Sequence, residues 1–234
     1  MQGQKPDLSI VVPIYNESGN IQPLADEISA VLGGRIPYEL IFVDDCSTDG
    51  SSREIEKLSA ASGQVRSWKH EHNRGQSAAV RTGVKAASAR VVCVLDGDGQ
   101  NDPKDIPRLY GQLAAVSSLS LVIGERRHRR DNWLRRVSSK VANGVRSRLL
   151  GDGVSDTGCG IKVFYRDEFL ELPAFDHMHR FLPALIQRSG GRVCSLPVSH
   201  RPRLHGMSKY GVRNRLWVGI LDILGVIWLQ KRRL

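Results

Sequence analysis

Two carboxylates one residue apart, in the run Asp96-Gly97-Asp98-Gly99-Gln100, follow the apolar stretch Val91-Val92-Cys93-Val94-Leu95. Acidic side chains crowded at the end of a buried strand repel one another unless a cation lies between them, and a hard divalent ion with oxygen ligands is the usual solution. The chemistry this suggests is a metal ion carrying a diphosphate. Asp102 and Pro103 just beyond read as the cap and first residue of a helix, but that reading leaves Asp96 and Asp98 without a task. A second acidic pair, Asp44-Asp45, ends another apolar run, Tyr38-Glu39-Leu40-Ile41-Phe42-Val43. His70-Glu71-His72 offers further ligand types without a third partner, so it is expected at the surface.

The elements that must position these acids alternate in type. Strands are expected at 8–13, 38–43, 65–69, 91–95 and 119–123, and helices at 20–32 and 75–87, with Ser51 and Glu54 forming a capping box for a helix between the second and third strands. Near-continuous apolar strands separated by helices imply a mostly parallel sheet covered on both faces. Ligands bind such sheets beyond the carboxyl ends of the strands, where Asp44, Asp45, Asp96 and Asp98 would share one crevice. After Gly124 the pattern changes to a basic helix at 133–150, a strand at 160–165, a helix at 177–188 and a strand at 192–197. Residues 212–230 are the most apolar stretch, shorter in its apolar core than the roughly 20 residues that span a bilayer. Trp217, Trp228 and Lys231-Arg232-Arg233 flank it as they would an amphipathic helix lying in a membrane interface. The alternative is a helix docked on the core or on a partner subunit, which Asp222 in its middle suits better. The organisation expected is a domain at 1–211 and a membrane-associated helix at 212–234.

Composition narrows the partners. The 234 residues suffice for one large α/β domain. Cys46, Cys93, Cys159 and Cys194 are scattered without paired spacing, which argues against a zinc cluster or disulfide framework and for a reducing, cytoplasmic setting. Residues 1–7 hold no apolar segment, so no secretory signal is expected. Of the 34 basic residues, nine lie in 126–148 against one acid, and eight in 201–233 against one acid. Such polarity faces a polyanion, either anionic lipid or nucleic acid. Nucleic acid fits poorly, because aromatics are only 6% of the chain, too few to line the basic segments for base stacking.

Taken in order, Val11-Val12-Pro13-Ile14-Tyr15-Asn16-Glu17, Val43-Asp44-Asp45-Cys46-Ser47-Thr48-Asp49-Gly50 and Asp96-Gly97-Asp98-Gly99-Gln100 resemble the successive nucleotide-sugar motifs of glycosyltransferase family 2. Arg203-Leu204-His205-Gly206-Met207-Ser208-Lys209-Tyr210 resembles the late basic motif of that family's dolichyl-phosphate mannose synthase branch, and the likeness extends to about Gly211. The resemblance implies a GT-A, Rossmann-like fold. It further implies that Pro13, Tyr15 and Glu17 contact the nucleotide, with Asp44 or Asp45 at the base or ribose and Gly97 in the donor loop. Asp96, Asp98 and Gln100 would hold Mg²⁺ or Mn²⁺ on the diphosphate, and Arg203 and Lys209 would close over it. Arg126 would face an acceptor phosphate, assisted by Arg135 or Arg136 with Ser139. Asp98, Arg126 and Arg203 are thus the implied catalytic residues. Asp156-Thr157-Gly158-Cys159-Gly160 resembles a branch motif near the sugar, with Asp156 either a substrate contact or part of a turn. Related chains often carry Ala and a hydrophobic residue where this one has Gly97 and Gly99, so a looser metal loop is expected.

Chemistry supports the same destination. A lipid monophosphate, with a second pKa near 6, is largely a dianion at neutral pH and attacks without a base. The protein must then overcome repulsion between two anions and stabilise a leaving diphosphate, which suits arginines and a metal. The expected reaction is inverting transfer of one sugar, from GDP-mannose or a UDP-sugar, to a polyprenyl or dolichyl monophosphate at the cytoplasmic membrane face, in cell-envelope glycolipid synthesis. Polymerisation is disfavoured because the Gln-x-x-Arg-Trp signature of processive synthases is absent. The alternatives are a soluble transferase acting on a hydroxyl, which requires a poised carboxylate base, and a basic nucleic-acid-binding module. A homo-oligomer or a membrane partner protein is compatible with either transferase.

Overall fold

The computed structural model describes residues 5–126, 144, 146–203 and 212–232. The expected contacts Arg135, Arg136, Ser139 and Lys209 lie outside the described residues.

The chain alternates strand and helix from its start: β1 (Leu8–Ile14), α1 (Ile21–Leu32), β2 (Tyr38–Asp44), α2 (Ser51–Ala61), β3 (Val65–Lys69), α3 (Gln76–Ala86), β4 (Val91–Val94), α4 (Ile106–Ala115) and β5 (Leu119–Arg126). After a helical segment at residues 146–150 (α5) come β6 (Lys162–Tyr165), α6 (Arg166–Glu171), α7 (Leu182–Arg188), β7 (Arg192–Val198) and α8 (Val212–Gln230). Apolar residues on both faces make β1, β2 and β4 buried strands, and they pair in parallel register, Leu8 beside Tyr38 and Val91. The sheet runs β3-β2-β1-β4-β6-β5-β7. Only β6 is antiparallel to its neighbours, slipped between β4 and β5 so that Lys162 lies beside Val94 and Ile123. The start of β6 therefore meets the edge at which the parallel strands end.

Two local expectations give way to tertiary contacts. Ser51 and Glu54 form no capping box. The Ser51 hydroxyl accepts from the Glu17 amide at 2.9 Å, and Glu54 accepts from the Gly19 amide at 3.0 Å, so both tie α2 to the loop after β1. The helix expected at 177–188 is broken, because His177 adopts φ 63° and Pro183 stands in the first turn of α7. A short 3₁₀ turn, Met178–Arg180, fills the gap.

Helices cover both faces. One core gathers α1 and α4 residues such as Leu24, Ile28 and Leu109 against β1 and β2, and the other gathers Val80, Leu185 and Val226 from α3, α7 and α8. Val226 is fully buried, a gain of about 1.5–3 kcal/mol for a side chain of this size. Asp222 bonds His177 at 3.0 Å. Arg188 donates to the carbonyls of Leu229 and Arg232 at 2.8 and 2.7 Å, closing the end of the helix. This face of α8 is docked on the core. The other exposes Ile220, Leu221 (68%), Leu224 and Trp228 (55%). No helix among the described residues is long and apolar enough to cross a membrane.

At the opposite edge of the sheet from the acids, Glu39 of β2 accepts from the Ser9 and Ser88 hydroxyls at 2.6 and 2.7 Å and pairs with Arg66 at 2.8 Å. Burial alone would raise its pKa, but the bonds from Ser9, Ser88 and Arg66 outweigh it and hold the carboxyl below its ordinary 4.5. A depressed carboxylate stabilises the fold above its unfolded pKa and loses that contribution as pH falls through the folded value. Glu39→Gln is therefore expected to lower the thermal midpoint clearly at pH 7 and progressively less below about pH 4.5. Unfolding scans of both proteins from pH 7 to pH 3 check this; a gap that stays constant would contradict it.

Candidate active site

β4 ends at Val94, and the chain turns outward so that Asp96 and Asp98 sit above the carboxyl edge. Gly97 is there for close approach: a Cβ would stand 2.4 Å from Ile14 Cδ1 and 3.2 Å from the Pro13 carbonyl oxygen. Its place in the loop is tight against β1, which corrects the expectation of looseness, while Gly99 supplies a positive φ of 72°. Asp96 is half-buried, with Oδ1 accepting from Gln76 Nε2 at 2.8 Å. Burial first, then the charge of Asp98, pushes its pKa up, against opposing pulls from Lys162 and Arg126. Asp98 Oδ1 accepts from the Gln100 amide at 3.1 Å, and Oδ2 pairs with Arg203 at 2.7 Å. The same guanidinium reaches Glu17 at 3.5 Å. Two acids from separate motifs therefore converge on one arginine from a segment more than 100 residues away in sequence.

The other expected donor contacts surround this point. Pro13 and Tyr15 lie at the end of β1 and in the loop after it, with the Tyr15 side chain exposed. Asp44 accepts from the Ser47 amide at 2.9 Å and from the Ser52 hydroxyl. Asp45 accepts from the Arg74 and Gly75 amides at 2.9 and 2.8 Å and bonds His70 Nδ1 at 2.7 Å, bracing the loop that leads into α3. His70 is consequently buried, its Nε2 bonded to Thr82 at 2.9 Å, where the sequence suggested a surface residue. The buried partner of that histidine is 25 residues back in the chain. Gln100 directs its side-chain amide to the Arg201 carbonyl at 3.4 Å. Asp102 caps the turn at Lys104 with a 3.0 Å bond and pairs with Arg201 at 2.6 Å, so the helix-start reading is right for Asp102 and Pro103.

Within electrostatic reach of Asp96, Arg126 at the end of β5 makes a two-pronged pair with Asp156, both contacts 2.7 Å. Burial alone would lower the pKa of this guanidinium, but Asp156 raises it overall. The turn 156–160 thus holds a carboxylate fully occupied by Arg126. Sequence reasoning missed three neighbours: Gln76, His179 and Lys162. Lys162 carried a usable signal, a lone charge inside the apolar run Ile161-Lys162-Val163-Phe164, since lysines are almost never fully buried without purpose.

The donor set can hold a hard divalent ion. Besides Asp96 and Asp98, the buried Asn101 Oδ1 has no hydrogen-bond partner among the described residues, and a Cβ on Gly160 would lie 2.1 Å from Asp96 Oδ2 and 2.5 Å from Asn101 Oδ1. Unsatisfied oxygen acceptors crowded together suit Mg²⁺ or Mn²⁺, which take one or two carboxylates and leave other positions to substrate phosphates and water. Among the described residues there is no cluster of three or more acidic, histidine or cysteine ligands.

An open, largely parallel sheet with acids, a phosphate-type arginine and metal-competent oxygens at its carboxyl edge defines the GT-A class of sugar transferases. The crystal structure of glucosyl-3-phosphoglycerate synthase from Mycobacterium tuberculosis in complex with Mn²⁺, UDP-glucose and glycerol 3-phosphate has this fold, with a TM-score of 0.71 over 96% of this chain and 80% of that one at 21% identity. The Glycosyl transferase family 2 model matches residues 9–172, and the chain belongs to that family. Dodecaprenyl-phosphate galacturonate synthase of Rhizobium johnstonii is 36% identical over 97% of the chain and 68% of its own length. Undecaprenyl-phosphate 4-deoxy-4-formamido-L-arabinose transferase of Aeromonas hydrophila is 34% identical over 88% of the chain. The chain covers 63% of that relative's length.

Proposed function

We propose that the protein transfers one sugar, with inversion, from a nucleotide diphosphate to the phosphate of a polyprenyl lipid. The observation that carries the reading is the state of the carboxylates around the crevice. A hydroxyl acceptor needs a base, yet Asp156 is held by Arg126 and Asp98 by Arg203, and Asp96, whose pKa is raised, is assigned here to the metal. A carboxylate stabilised by a cation is a weak base, whereas a phosphate dianion needs none. The names of the two relatives support a polyprenyl-phosphate acceptor, and because they specify different sugars they leave the donor open, GDP-mannose included.

In this reading Pro13, Tyr15, Glu17, Asp44 and Asp45 shape the nucleotide site, Gly97 lets the donor loop approach β1, and Arg203 with Lys209 lies over the diphosphate. Asp96 and Asp98, with Gln100 or Asn101, would hold Mg²⁺ or Mn²⁺, which when bound supplies positive charge to the leaving diphosphate. Arg126, with Arg135, Arg136 and Ser139, receives the acceptor phosphate. The exposed face of α8 lies on the bilayer interface, with the Arg232 guanidinium 4.7 Å from the Trp228 ring centroid at its end. The four cysteines are free thiols, which supports the cytoplasmic side.

The test is transfer of radiolabel from UDP- and GDP-sugars into organic-extractable polyprenyl phosphate, with Mg²⁺ or Mn²⁺ and with chelator. Metal-dependent label in the lipid phase is expected. Nucleotide release without lipid label would move the hydroxyl acceptor ahead, and retention on DNA but not on anionic liposomes would overturn the membrane assignment.

A further inference from the structure

The two carboxylates of the donor loop are held in opposite ways. Asp98 pairs directly with the Arg203 guanidinium at 2.7 Å. Asp96 has one side-chain hydrogen bond among the described residues, and its donor is neutral: Gln76 Nε2 reaches Oδ1 at 2.8 Å. The two cations that act on Asp96, Lys162 and Arg126, are turned to other partners, the first to the Cys159 carbonyl and the second to Asp156. Oδ2 is left beside the buried Asn101 Oδ1, the two oxygens lying 2.1 and 2.5 Å from the point where a Gly160 Cβ would stand. The Gln76 amide has only this orientation, because its oxygen turned inward would face a carboxylate oxygen, acceptor against acceptor.

Gln76 is itself anchored from both sides. Gly75, at φ 83°, turns the chain into α3, and its amide and that of Arg74 donate to Asp45 at 2.8 and 2.9 Å. His70 joins Asp45 to Thr82 further along the same helix, at 2.7 and 2.9 Å. On the other side of Gln76, the Ser77 hydroxyl bonds His179 Nδ1 at 2.7 Å. The start of α3 is thus fixed by residues of β2, by the loop after β3 and by the turn before α7. Resting on the metal reading above and deepening it, we propose that Gln76 is a positioning residue for the divalent ion: by holding Oδ1 of Asp96 it presents Oδ2 to the ion in a fixed orientation. The carboxylate torsion is soft when nothing holds it, and Lys162 and Arg126 would draw the group toward themselves. A cationic side chain in place of the amide would also orient the carboxylate, but it would compete with the ion for its charge. An amide orients and leaves the charge available. Hydrogen-bond partners that orient a ligating carboxylate in this way are worth about 10- to 100-fold in metal affinity.

The experiment measures Mn²⁺ binding to the full chain, with UDP and with GDP, from the paramagnetic resonance of the free ion. It compares the wild type with Gln76→Met, which removes the donor at nearly the same length, and with Ser77→Ala, which loosens the start of α3 without touching the carboxylate. The expected result is Mn²⁺ affinity lower by about 10- to 100-fold in Gln76→Met, and wild-type affinity in Ser77→Ala. The Mn²⁺ concentration for half-maximal sugar transfer rises by the same factor in Gln76→Met, while its nucleotide binding without metal is unchanged and its unfolding midpoint stays within a few degrees of the wild type. If Gln76→Met does not fold, Gln76→Asn, whose amide is too short to reach Oδ1, decides in its place. Unchanged Mn²⁺ affinity in the Gln76 variant would overturn this inference and leave the metal reading standing. So would an equal loss in Ser77→Ala, which would assign Gln76 to bracing the helix alone. A wild type that binds Mn²⁺ with neither nucleotide would overturn both.

Discussion

Asp98→Ala is expected to lower sugar transfer by roughly three orders of magnitude, the scale of removing one group aimed at developing charge in a transition state, with the fold intact. The carboxylate does two things. It presents one of two acidic oxygens at the donor loop, and it holds Arg203 at 2.7 Å. Loss of the side chain leaves Arg203 with Glu17 and partial contact with water, so no buried charge is stranded and the thermal midpoint should move by only a few degrees. Label entering the lipid phase and the unfolding midpoint are the paired measurements. A variant that retains wild-type rates, or a wild type indifferent to chelator, would remove Asp98 from the metal site.

Arg126→Ala is expected to act on stability first. Arg126 and Asp156 side chains are 12% and 9% exposed, and deleting the guanidinium leaves a buried carboxylate unpaired, which typically costs about 3–5 kcal/mol. For a chain of this size that is a fall in Tm of roughly 6–20 °C. The double variant Arg126→Met/Asp156→Asn should recover most of it, because neither buried charge remains. If Arg126 also receives the acceptor, Arg126→Ala assayed well below its Tm raises the KM for polyprenyl phosphate more than that for the nucleotide sugar. Equal losses would assign the arginine to bracing the 156–160 turn alone.

The sequence made β1, β2 and β4 legible because a parallel strand buried on both faces has little choice but to be apolar, and acids at its exit stand out against it. Asp96 and Asp98 are legible for that reason. What stayed hidden depends on partners distant in the chain. Glu54 satisfies a local capping rule, yet the Gly19 amide, 35 residues away, offers it a better placed donor. His70 looks exposed among charged neighbours until β2 delivers Asp45 beside it. The place of β6 in the sheet is invisible locally, since nothing in Lys162-Val163-Phe164-Tyr165 says that it will run against β4 and β5. That reversal is what brings Lys162 to the carboxyl edge, so the part of the site furthest from the recognisable motifs is also the part set by topology.

The two outermost strands set a limit on how copies of the chain can meet. β3 presents Arg66, Trp68 and Lys69, and β7 presents Arg192 and carries Pro197, which has no amide hydrogen to offer. Charged side chains and proline on an outer strand discourage a further strand from adding to the hydrogen-bonded ladder. Sheet extension between molecules, the common route to fibrous aggregates, is thus disfavoured at both ends, and self-association is left to the side chains of helical faces such as Leu221 and Leu224 on α8.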